Sequence, residues 1–425
     1  MFKTSQIAPG VRLVCDKTDK YKMTDVCVSM ALPMDENAAA NALLVKLLTQ
    51  SCKAYPGILA LNNRLAELYG ANISSRVYKI GDAQVLLISG TCLDDKFALN
   101  GETILLDFLS LVADLIFSPN LKGTSFGSDN LAREKRLLKE EVLEELDDKG
   151  RYAFKKCIEY MCENEPYGRP RVGTIEDIES VKMSDVYSAW KNLLSSALFQ
   201  ITAVGNVNIK KIETLFKSKF KKISREPCTI DTIFLNKPQR FSRHEEKMVA
   251  NQGKLVIGYR TGMENADDRY YAEMVMVDIF GGGPHSMLFK NIREKQSLAY
   301  YCNARLIASK GIVMVQSGID TDKEKNVSAG VINQLIELRQ GKFDDEVIAT
   351  SKRSIREMFT YSHPDAICDF YAIQILDEEI RSPEQIIEGV EGVTKEEICE
   401  AASKMVLDKI FMLSAEAGEV NADED

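Results

Sequence analysis

The residues that could perform chemistry are unevenly distributed along this chain. Among 425 residues there are three histidines, His244, His285 and His363, and none lies in the first half of the sequence. Neutral imidazole supplies at least two of the ligands in most catalytic zinc sites. The ten cysteines are scattered and include no C-x-x-C pair, so a thiolate zinc site is not indicated. The first half therefore lacks the side chains from which a hydrolytic zinc site is usually built.

Carboxylates are concentrated on one predicted helix. This helix starts at Ser128 and reads SDNLAREKRLLKEEVLEELDDKG, the longest helical pattern in the chain. At 100° per residue, Glu134, Glu141 and Glu145 fall within about 40° of one another beside an apolar stripe. That placement suits carboxylates facing a cavity, and it equally suits the solvated acidic edge of a surface helix. The pattern leaves both interpretations open.

A second group of candidate residues lies in residues 280–301, which read FGGGPHSMLFKNIREKQSLAYY. Arg293 and Tyr300 offer a guanidinium and a phenol, which can donate hydrogen bonds to an oxygen that is gaining negative charge. Taken as isolated residues, a surface arginine and a core tyrosine are the simpler interpretation.

Three consecutive glycines, Gly281, Gly282 and Gly283, open the same stretch. They lack the G-x-G-x-x-G spacing and the downstream acidic residue of a dinucleotide site. They therefore predict a tight strand-to-helix turn. His285 beside them is interpreted as an isolated polar residue of that turn rather than a catalytic base.

The elements that carry these residues occur twice. Met34, at the end of a strand-like run, precedes Ala71 by 37 residues, and Met263 precedes Tyr300 by the same interval. A strand-like run ending in glycine follows each copy after 18 or 19 residues. Such self-similarity indicates one fold unit built twice.

Runs of strands and runs of helices favour an α+β fold with mainly antiparallel sheets over βαβ winding. Residues 9–33 predict a β-hairpin, and residues 344–377 predict the long helix of the second copy. The first half is assigned to residues 1–222 and the second to residues 249–425. Residues 223–248 have little periodicity and two prolines, which is typical of a linker. Two such halves on a long linker predict a clamshell around a cavity.

Composition limits the function classes. Apolar residues at 45% and charged residues at 28% describe an ordinary globular protein. The net charge of −9 and the absence of a long basic block make nucleic acid a poor partner. No apolar run reaches the roughly 18 residues that span a bilayer, and no cleavable leader pattern is present. We therefore expect a cytoplasmic protein with reduced cysteines and no membrane partner.

Several motifs together resemble the pitrilysin or insulinase-type family of inverted zinc metallopeptidases, which includes mitochondrial processing peptidase. LFKNIREKQSLAY is similar to the family's C-terminal signature, a REK-x-x-LAY pattern after a Gly-rich turn. YP followed by a helix ending in LYGA is similar to the region after its zinc motif. EKRLLKEEVLEELDDK, PYGRPRVGTIEDI and ITAVGNVN resemble three later segments, in the family's order. The resemblance covers nearly the whole chain and implies two homologous αβ-roll halves enclosing a cavity.

The chain departs from the family at its metal motif. Active members carry H-x-x-E-H, with two histidine ligands and a glutamate that activates water. The matching positions here are Ala42, Val45 and Lys46. The resemblance assigns the third ligand to Glu141 and an accessory carboxylate to Glu134. We therefore expect no metal cofactor in this chain, and we expect the ammonium of Lys46 to pair with Glu141.

The resemblance also gives Arg293 and Tyr300 a role, because in the family the corresponding residues donate hydrogen bonds to a substrate carbonyl. It further implies a substrate contact by Gly281, Gly282 and Gly283. In some family members one chain carries the zinc motif, and a second chain that lacks this motif carries the Arg/Tyr pair. The leading prediction is a zinc-free subunit that pairs with a related H-x-x-E-H chain, which would hold the zinc, and binds a peptide substrate. A homodimer is also possible. The alternatives are a structural or peptide-binding homologue, and a self-sufficient peptidase with other ligands.

Overall fold

The computed structural model describes residues 2–263, 269–361 and 363–416. The strands in chain order are β1 (Phe2–Ala8), β2 (Val11–Lys17), β3 (Met23–Pro33), β4 (Asn72–Ile80), β5 (Ala83–Leu93), β6 (Leu198–Gly205), β7 (Ser242–Val249), β8 (Gly253–Arg260), β9 (Tyr301–Ile307), β10 (Ile312–Ile319) and β11 (Val406–Glu416).

The helices that alternate with these strands are α1 (Ala38–Leu48), α2 (Ile58–Glu67), α3 (Ile104–Phe117), α4 (Ser128–Asp147), α5 (Lys149–Met161), α6 (Ile175–Ser180), α7 (Met183–Ser196), α8 (Ile209–Phe220), α9 (Tyr270–Gly281), α10 (Glu324–Arg339), α11 (Asp345–Met358), α12 (Pro364–Ala372), α13 (Pro383–Gly392) and α14 (Lys395–Lys404). None of these helices combines the length and apolar character needed to cross a bilayer.

The first sheet has six strands in the order β1-β2-β6-β3-β5-β4. Strand β6 pairs parallel with β2 and antiparallel with β3, so the hairpin predicted for residues 9–33 is wrong. The chain inserts Leu198–Gly205 between the two predicted hairpin strands, and all but the first residue of that strand are buried. Alternation within residues 9–33 could not reveal this partner, because it lies more than 150 residues away.

The second sheet has five strands in the order β7-β11-β8-β10-β9. Its one parallel pair is β7 with β11, and its other pairs are antiparallel. Five strands of each sheet belong to the repeat, β2 to β6 in the first sheet and β7 to β11 in the second. Numbered along the chain, these five strands lie in both sheets in the order first, fifth, second, fourth, third. The mainly antiparallel α+β fold and the internal repeat predicted from the sequence are confirmed.

Contacts group the chain into two compact units. The first contains Met1–Val142, Arg169–Thr232 and Tyr361–Ser382, and the second contains Leu143–Gly168, Ile233–Thr360 and Pro383–Asp425. Two segments differ from the predicted boundaries. Residues 143–168, predicted in the first half, belong to the second unit, and residues 361–382, predicted in the second half, belong to the first unit. The linker predicted for residues 223–248 also extends too far, because Ser242–Val249 forms β7.

Helix packing explains this grouping. Helix α12 lies against β3 and β6 of the first sheet, and α5 lies against β8 and β11 of the second. The long helix predicted for residues 344–377 is instead two helices, and Pro364 is the first residue of the second one. Proline has no backbone N–H and suits the start of a helix better than its interior.

Helix α1 is the most deeply buried helix on the other face of the first sheet. Its sequence, AAANALLVKLL, is apolar on nearly every side, which is typical of a helix enclosed by the core. Lys46 is the only one of its residues that is not buried. The fold therefore presents a single charged side chain from an otherwise enclosed helix.

Candidate functional site

Helices α1 and α4 position the residues that correspond to the family's metal motif. Ala42 and Val45 are fully buried in the hydrophobic core, and Lys46 reaches toward α4. The Lys46 Nζ atom donates a hydrogen bond to Glu141 Oε2 at 2.9 Å. The ion pair predicted from the sequence is confirmed.

A second cation, which sequence reasoning missed, completes this cluster. Arg171 donates from its guanidinium to Glu141 Oε1 at 3.0 Å. Burial by itself would raise the pKa of Glu141, but the hydrogen bonds and charges of Lys46 and then Arg171 outweigh burial, so that its pKa is lowered. The segment PYGRPRVG contains two arginines, Arg169 and Arg171, whose spacing does not distinguish them. Only the fold shows that Arg171 is the one that reaches α4.

Buried amides hold Arg171 in place. Gln84 Nε2 donates to the backbone carbonyl of Arg171 at 2.7 Å and to that of Ala38 at 2.8 Å. Asn41 Nδ2 in turn donates to Gln84 Oε1 at 3.0 Å. Strand β5, helix α1 and the Arg171 segment are therefore fixed to one another beside the ion pair.

These residues do not fit a zinc ion. Ala42 and Val45 have no lone pairs to donate, and Glu141 is already bonded to two cations that would repel a dication. Glu134, the predicted accessory carboxylate, is buried and accepts a hydrogen bond from Arg133 Nε at 3.2 Å. Within the described residues, no group of three or more histidine, cysteine, aspartate or glutamate side chains could hold a metal ion.

Arg293 and Tyr300 lie in the second unit and are both exposed. Arg293 is on a π-helical turn, Phe289–Lys295, with its guanidinium carbon 4.6 Å from the centroid of the Phe289 ring. Tyr300 is 59% exposed, so the simpler interpretation of a core tyrosine is wrong. Both side chains can therefore be reached from solvent.

The hydroxyl of Tyr300 is hydrogen-bonded. It donates to Asp320 Oδ1 at 2.8 Å, and the backbone N–H of Tyr300 donates to Gly318 O at 2.8 Å. The hydrogen bond to the Asp320 carboxylate, followed by its negative charge, raises the pKa of Tyr300. A phenol has one hydroxyl proton, and here that proton is donated to Asp320. The Tyr300 oxygen can therefore only accept a further hydrogen bond.

The glycine triplet does not form the predicted strand-to-helix turn. Gly281 is the last residue of α9 and Gly282 follows as its C-cap. A Cβ atom on Gly281 would lie 2.4 Å from the backbone nitrogen of Ala304, so glycine allows α9 to pack closely against β9. A substrate contact by Gly281, Gly282 and Gly283 stays a prediction.

His285 is not isolated, contrary to the sequence interpretation. Its Nε2 atom lies 2.6 Å from Asp278 Oδ1 and 3.0 Å from Ser351 Oγ. Serine, histidine and aspartate also form hydrolase triads, but there the nucleophile and the acid contact opposite ring nitrogens. Here both partners contact one nitrogen and Ser351 is fully buried. The cluster therefore joins the end of α9 to α11 and offers no accessible nucleophile.

Comparisons with known proteins agree with the resemblance in the sequence. A family model described as the peptidase M16 inactive domain matches residues 180–355. The probable inactive metalloprotease YmfF of Bacillus subtilis (strain 168) is 31% identical over 405 residues, which cover 95% of each chain. The probable mitochondrial-processing peptidase subunit beta of Arabidopsis thaliana is 21% identical over 327 residues, which cover 72% of this chain and 60% of that one.

A solved structure extends the similarity to the fold. The crystal structure of a conserved protein from Enterococcus faecalis V583 matches with a TM-score of 0.87 and 28% identity. The match covers 98% of this chain and 99% of the other. The similarity therefore includes both units and is not confined to one motif.

Proposed function

The chain belongs to the M16 peptidase family, and we propose that it is a zinc-free, non-catalytic subunit of a two-chain metallopeptidase. Its partner would be a related chain that carries H-x-x-E-H and the zinc. This chain would contribute Arg293 and Tyr300 as hydrogen-bond donors to carbonyl oxygens of a peptide held as an added β-strand. The observation that carries the proposal is the cluster of Lys46, Glu141 and Arg171, in which Lys46 replaces a histidine of the metal motif and both cations pair with Glu141.

The exposure of Arg293 and Tyr300 supports the second part of the proposal. A guanidinium and a phenol stabilise an oxygen that gains charge during peptide cleavage, provided that they are preorganised. The Phe289 ring restricts the Arg293 guanidinium by stacking against it. A peptide carbonyl would have to displace Asp320 to receive the proton of Tyr300.

The hydrogen bond between Tyr300 and Asp320 also favours the alternative, a structural or peptide-binding homologue with no part in catalysis. A tyrosine whose proton is already donated to a carboxylate is not free to donate to a substrate. The two functions differ in what removal of Arg293 or Tyr300 does to a reconstituted peptidase.

Reconstitution tests the proposal. We expect the purified chain to leave an internally quenched peptide uncut, and hydrolysis to appear when the H-x-x-E-H chain is added. Arg293→Ala and Tyr300→Phe should each lower kcat/KM of the pair about tenfold, the effect of losing one hydrogen bond to a partly charged oxygen. Lys290→Ala, which removes an exposed charge one turn away, is the matched control. Unchanged kcat/KM in both variants would leave the non-catalytic alternative.

Metal analysis tests the zinc-free assignment separately. After dialysis against a zinc-containing buffer and then a metal-free buffer, we expect far less than one zinc per chain, because the corresponding positions supply a single carboxylate that is already paired. Plasma mass spectrometry would measure the ratio. One tightly held zinc per chain would favour a self-sufficient peptidase with other ligands.

A further inference from the structure

The second unit contains a cavity beside the C-terminal end of α5. Its volume is about 260 Å³, and its lining residues fall within three stretches, 160–165, 235–260 and 408–409. All three stretches belong to the second unit. At about 30 Å³ for each water molecule, this volume corresponds to roughly eight or nine waters. The cavity can therefore hold a small molecule, but not a peptide of several residues.

A buried cation lines this cavity. Lys409 is 8% exposed, and its Nζ atom donates to the backbone carbonyl of Arg240 at 2.7 Å and to Asp408 Oδ1 at 2.8 Å. Asp408 also accepts from Arg260 at 2.7 Å, so its negative charge is already compensated. An ammonium has three N–H donors, and the part of the chain that the structure describes uses two of those of Lys409. One donor of Lys409 remains for an anionic ligand.

Two opposite charges at the cavity have no ion-pair partner. Glu163 and Arg240 both line the cavity and are exposed, and neither pairs with any of the described residues. Their sequence neighbours are in contact, because Asn164 Nδ2 donates to Gln239 Oε1 at 3.5 Å. The two segments therefore meet at the cavity, yet the carboxylate and the guanidinium do not pair with each other. A ligand that carries both charges would satisfy both side chains.

The rest of the lining is aromatic and apolar. The ring of Tyr160 stacks on that of His244 with centroids 3.8 Å apart, and Ser242 Oγ lies 2.9 Å from His244 Nε2. Met161 and Leu235 add apolar surface to the cavity. These contacts order the wall before a ligand arrives, which reduces the cost of binding. Apolar surface favours a ligand with a hydrocarbon group.

We propose that this cavity binds a free α-amino acid with an apolar side chain. Lys409 and Arg240 would hold its carboxylate, which can accept from an ammonium and a guanidinium at once. Glu163 would hold its ammonium, and the apolar wall would contact its side chain. The site requires no metal and no partner chain, and it is separate from the proposed role of Arg293 and Tyr300.

Saturation-transfer NMR of the full chain with L-leucine tests this site. Titration gives the Kd of L-leucine and of two analogues, L-leucinamide, which lacks the carboxylate, and 4-methylpentanoate, which lacks the ammonium. We expect each analogue to bind about tenfold more weakly than L-leucine, the effect of losing one charged hydrogen-bonding group. Equal Kd values for the three compounds would overturn the proposal, as would the absence of saturation transfer to L-leucine up to its solubility limit.

Two variants at exposed positions assign the two ends of the ligand. Arg240→Met should weaken binding of L-leucine about tenfold and leave binding of L-leucinamide unchanged. Glu163→Gln should weaken binding of L-leucine by a similar factor and leave binding of 4-methylpentanoate unchanged. Misfolding would weaken all three compounds alike. Lys237→Met, which removes an exposed charge outside the cavity lining, is the control and should change none of the Kd values. An unchanged Kd for L-leucine in either cavity variant would overturn the assignment to this cavity.

Discussion

Replacing Arg260 with alanine should lower the free energy of unfolding by about 3 to 5 kcal/mol, the usual effect of removing one partner from a buried ion pair. The Arg260 side chain is 1% exposed at the end of β8. It donates from Nε to Asp408 Oδ2 at 2.7 Å and from its guanidinium to Glu165 Oε1 at 2.6 Å. Burial lowers the pKa of Arg260, but the hydrogen bonds that its guanidinium donates to Glu165 and Asp408 outweigh burial and raise the pKa overall.

Two lysines share the same carboxylates. Lys310 Nζ, fully buried, lies 2.8 Å from Glu165 Oε2, and Lys409 Nζ lies 2.8 Å from Asp408 Oδ1. Without Arg260, each carboxylate keeps one cation and loses a charged hydrogen-bond donor in a site that water reaches poorly. The penalty arises from desolvation that is no longer compensated, rather than from the strength of one contact.

Urea unfolding followed by far-UV circular dichroism would measure this loss. Arg136→Ala is the control, because Arg136 forms an exposed pair with Glu140 at 2.9 Å. Removing such a surface pair should change the free energy of unfolding by less than about 0.5 kcal/mol. If the free energies of unfolding of the Arg260→Ala variant and the native chain differed by less than about 1 kcal/mol, the buried cluster would not contribute to stability as predicted.

Replacing Asp25 with asparagine should stabilise the first unit by about 2 to 3 kcal/mol at pH 7 to 8. Asp25 is 4% exposed on β3 and accepts a hydrogen bond from Thr91, its cross-strand partner on β5. Burial is the main reason that the pKa of Asp25 rises to about 6, and the charges of Asp365 and Asp369 on α12 contribute. Thr91 opposes this rise because it stabilises the ionised form.

The pH dependence follows from this shift. The folded chain binds the proton of Asp25 more tightly than the unfolded chain, in which an aspartate has a pKa of about 3.9. The contribution of Asp25 to the free energy of unfolding should therefore fall as pH rises from about 4 to about 6, and it should stay at the lower value above that pH. Asparagine keeps an oxygen for Thr91 but carries no charge, so the Asp25→Asn variant should lose this decline.

Fluorescence of Trp190 can follow unfolding of the first unit, since this is the only tryptophan in the chain and lies in α7. Urea titrations between pH 4.5 and 8 would give the free energy of unfolding for the native chain and the variant. Asp19→Asn, at an exposed position, controls for the change in net charge. Parallel pH profiles for the native chain and Asp25→Asn would contradict the prediction.

Local sequence patterns predicted much of the site in the first unit. The positions of Ala42, Val45 and Lys46 follow from their spacing to the YP segment, and the helical periodicity of Glu134 and Glu141 placed both on one side of α4. The pair of Lys46 with Glu141 could be predicted because the family resemblance places Lys46 at a position of the metal motif and assigns the third metal ligand to Glu141. Arg171 could not be predicted, because it lies in an irregular segment without periodicity.

Contacts between residues far apart in sequence were harder to predict. The partners of His285 are seven and 66 positions away, and no spacing rule connects Ser351 with that ring. Arg260, Glu165 and Asp408 come from three separate stretches, and each would pass as an ordinary surface charge in the sequence. Their burial depends on which helix covers the second sheet.

The sequence by itself determined the duplicated α+β unit, the family, and the loss of metal ligands from the first helix, because repeats, periodicity and side-chain chemistry are local properties of a chain. Only the tertiary structure decided that β6 separates β2 from β3, that α5 and α12 each cover the sheet of the opposite half, and that Arg171 joins Lys46 on Glu141. Those arrangements depend on which apolar faces bury one another most completely. Burial has no fixed range along the sequence, so no local pattern can specify it.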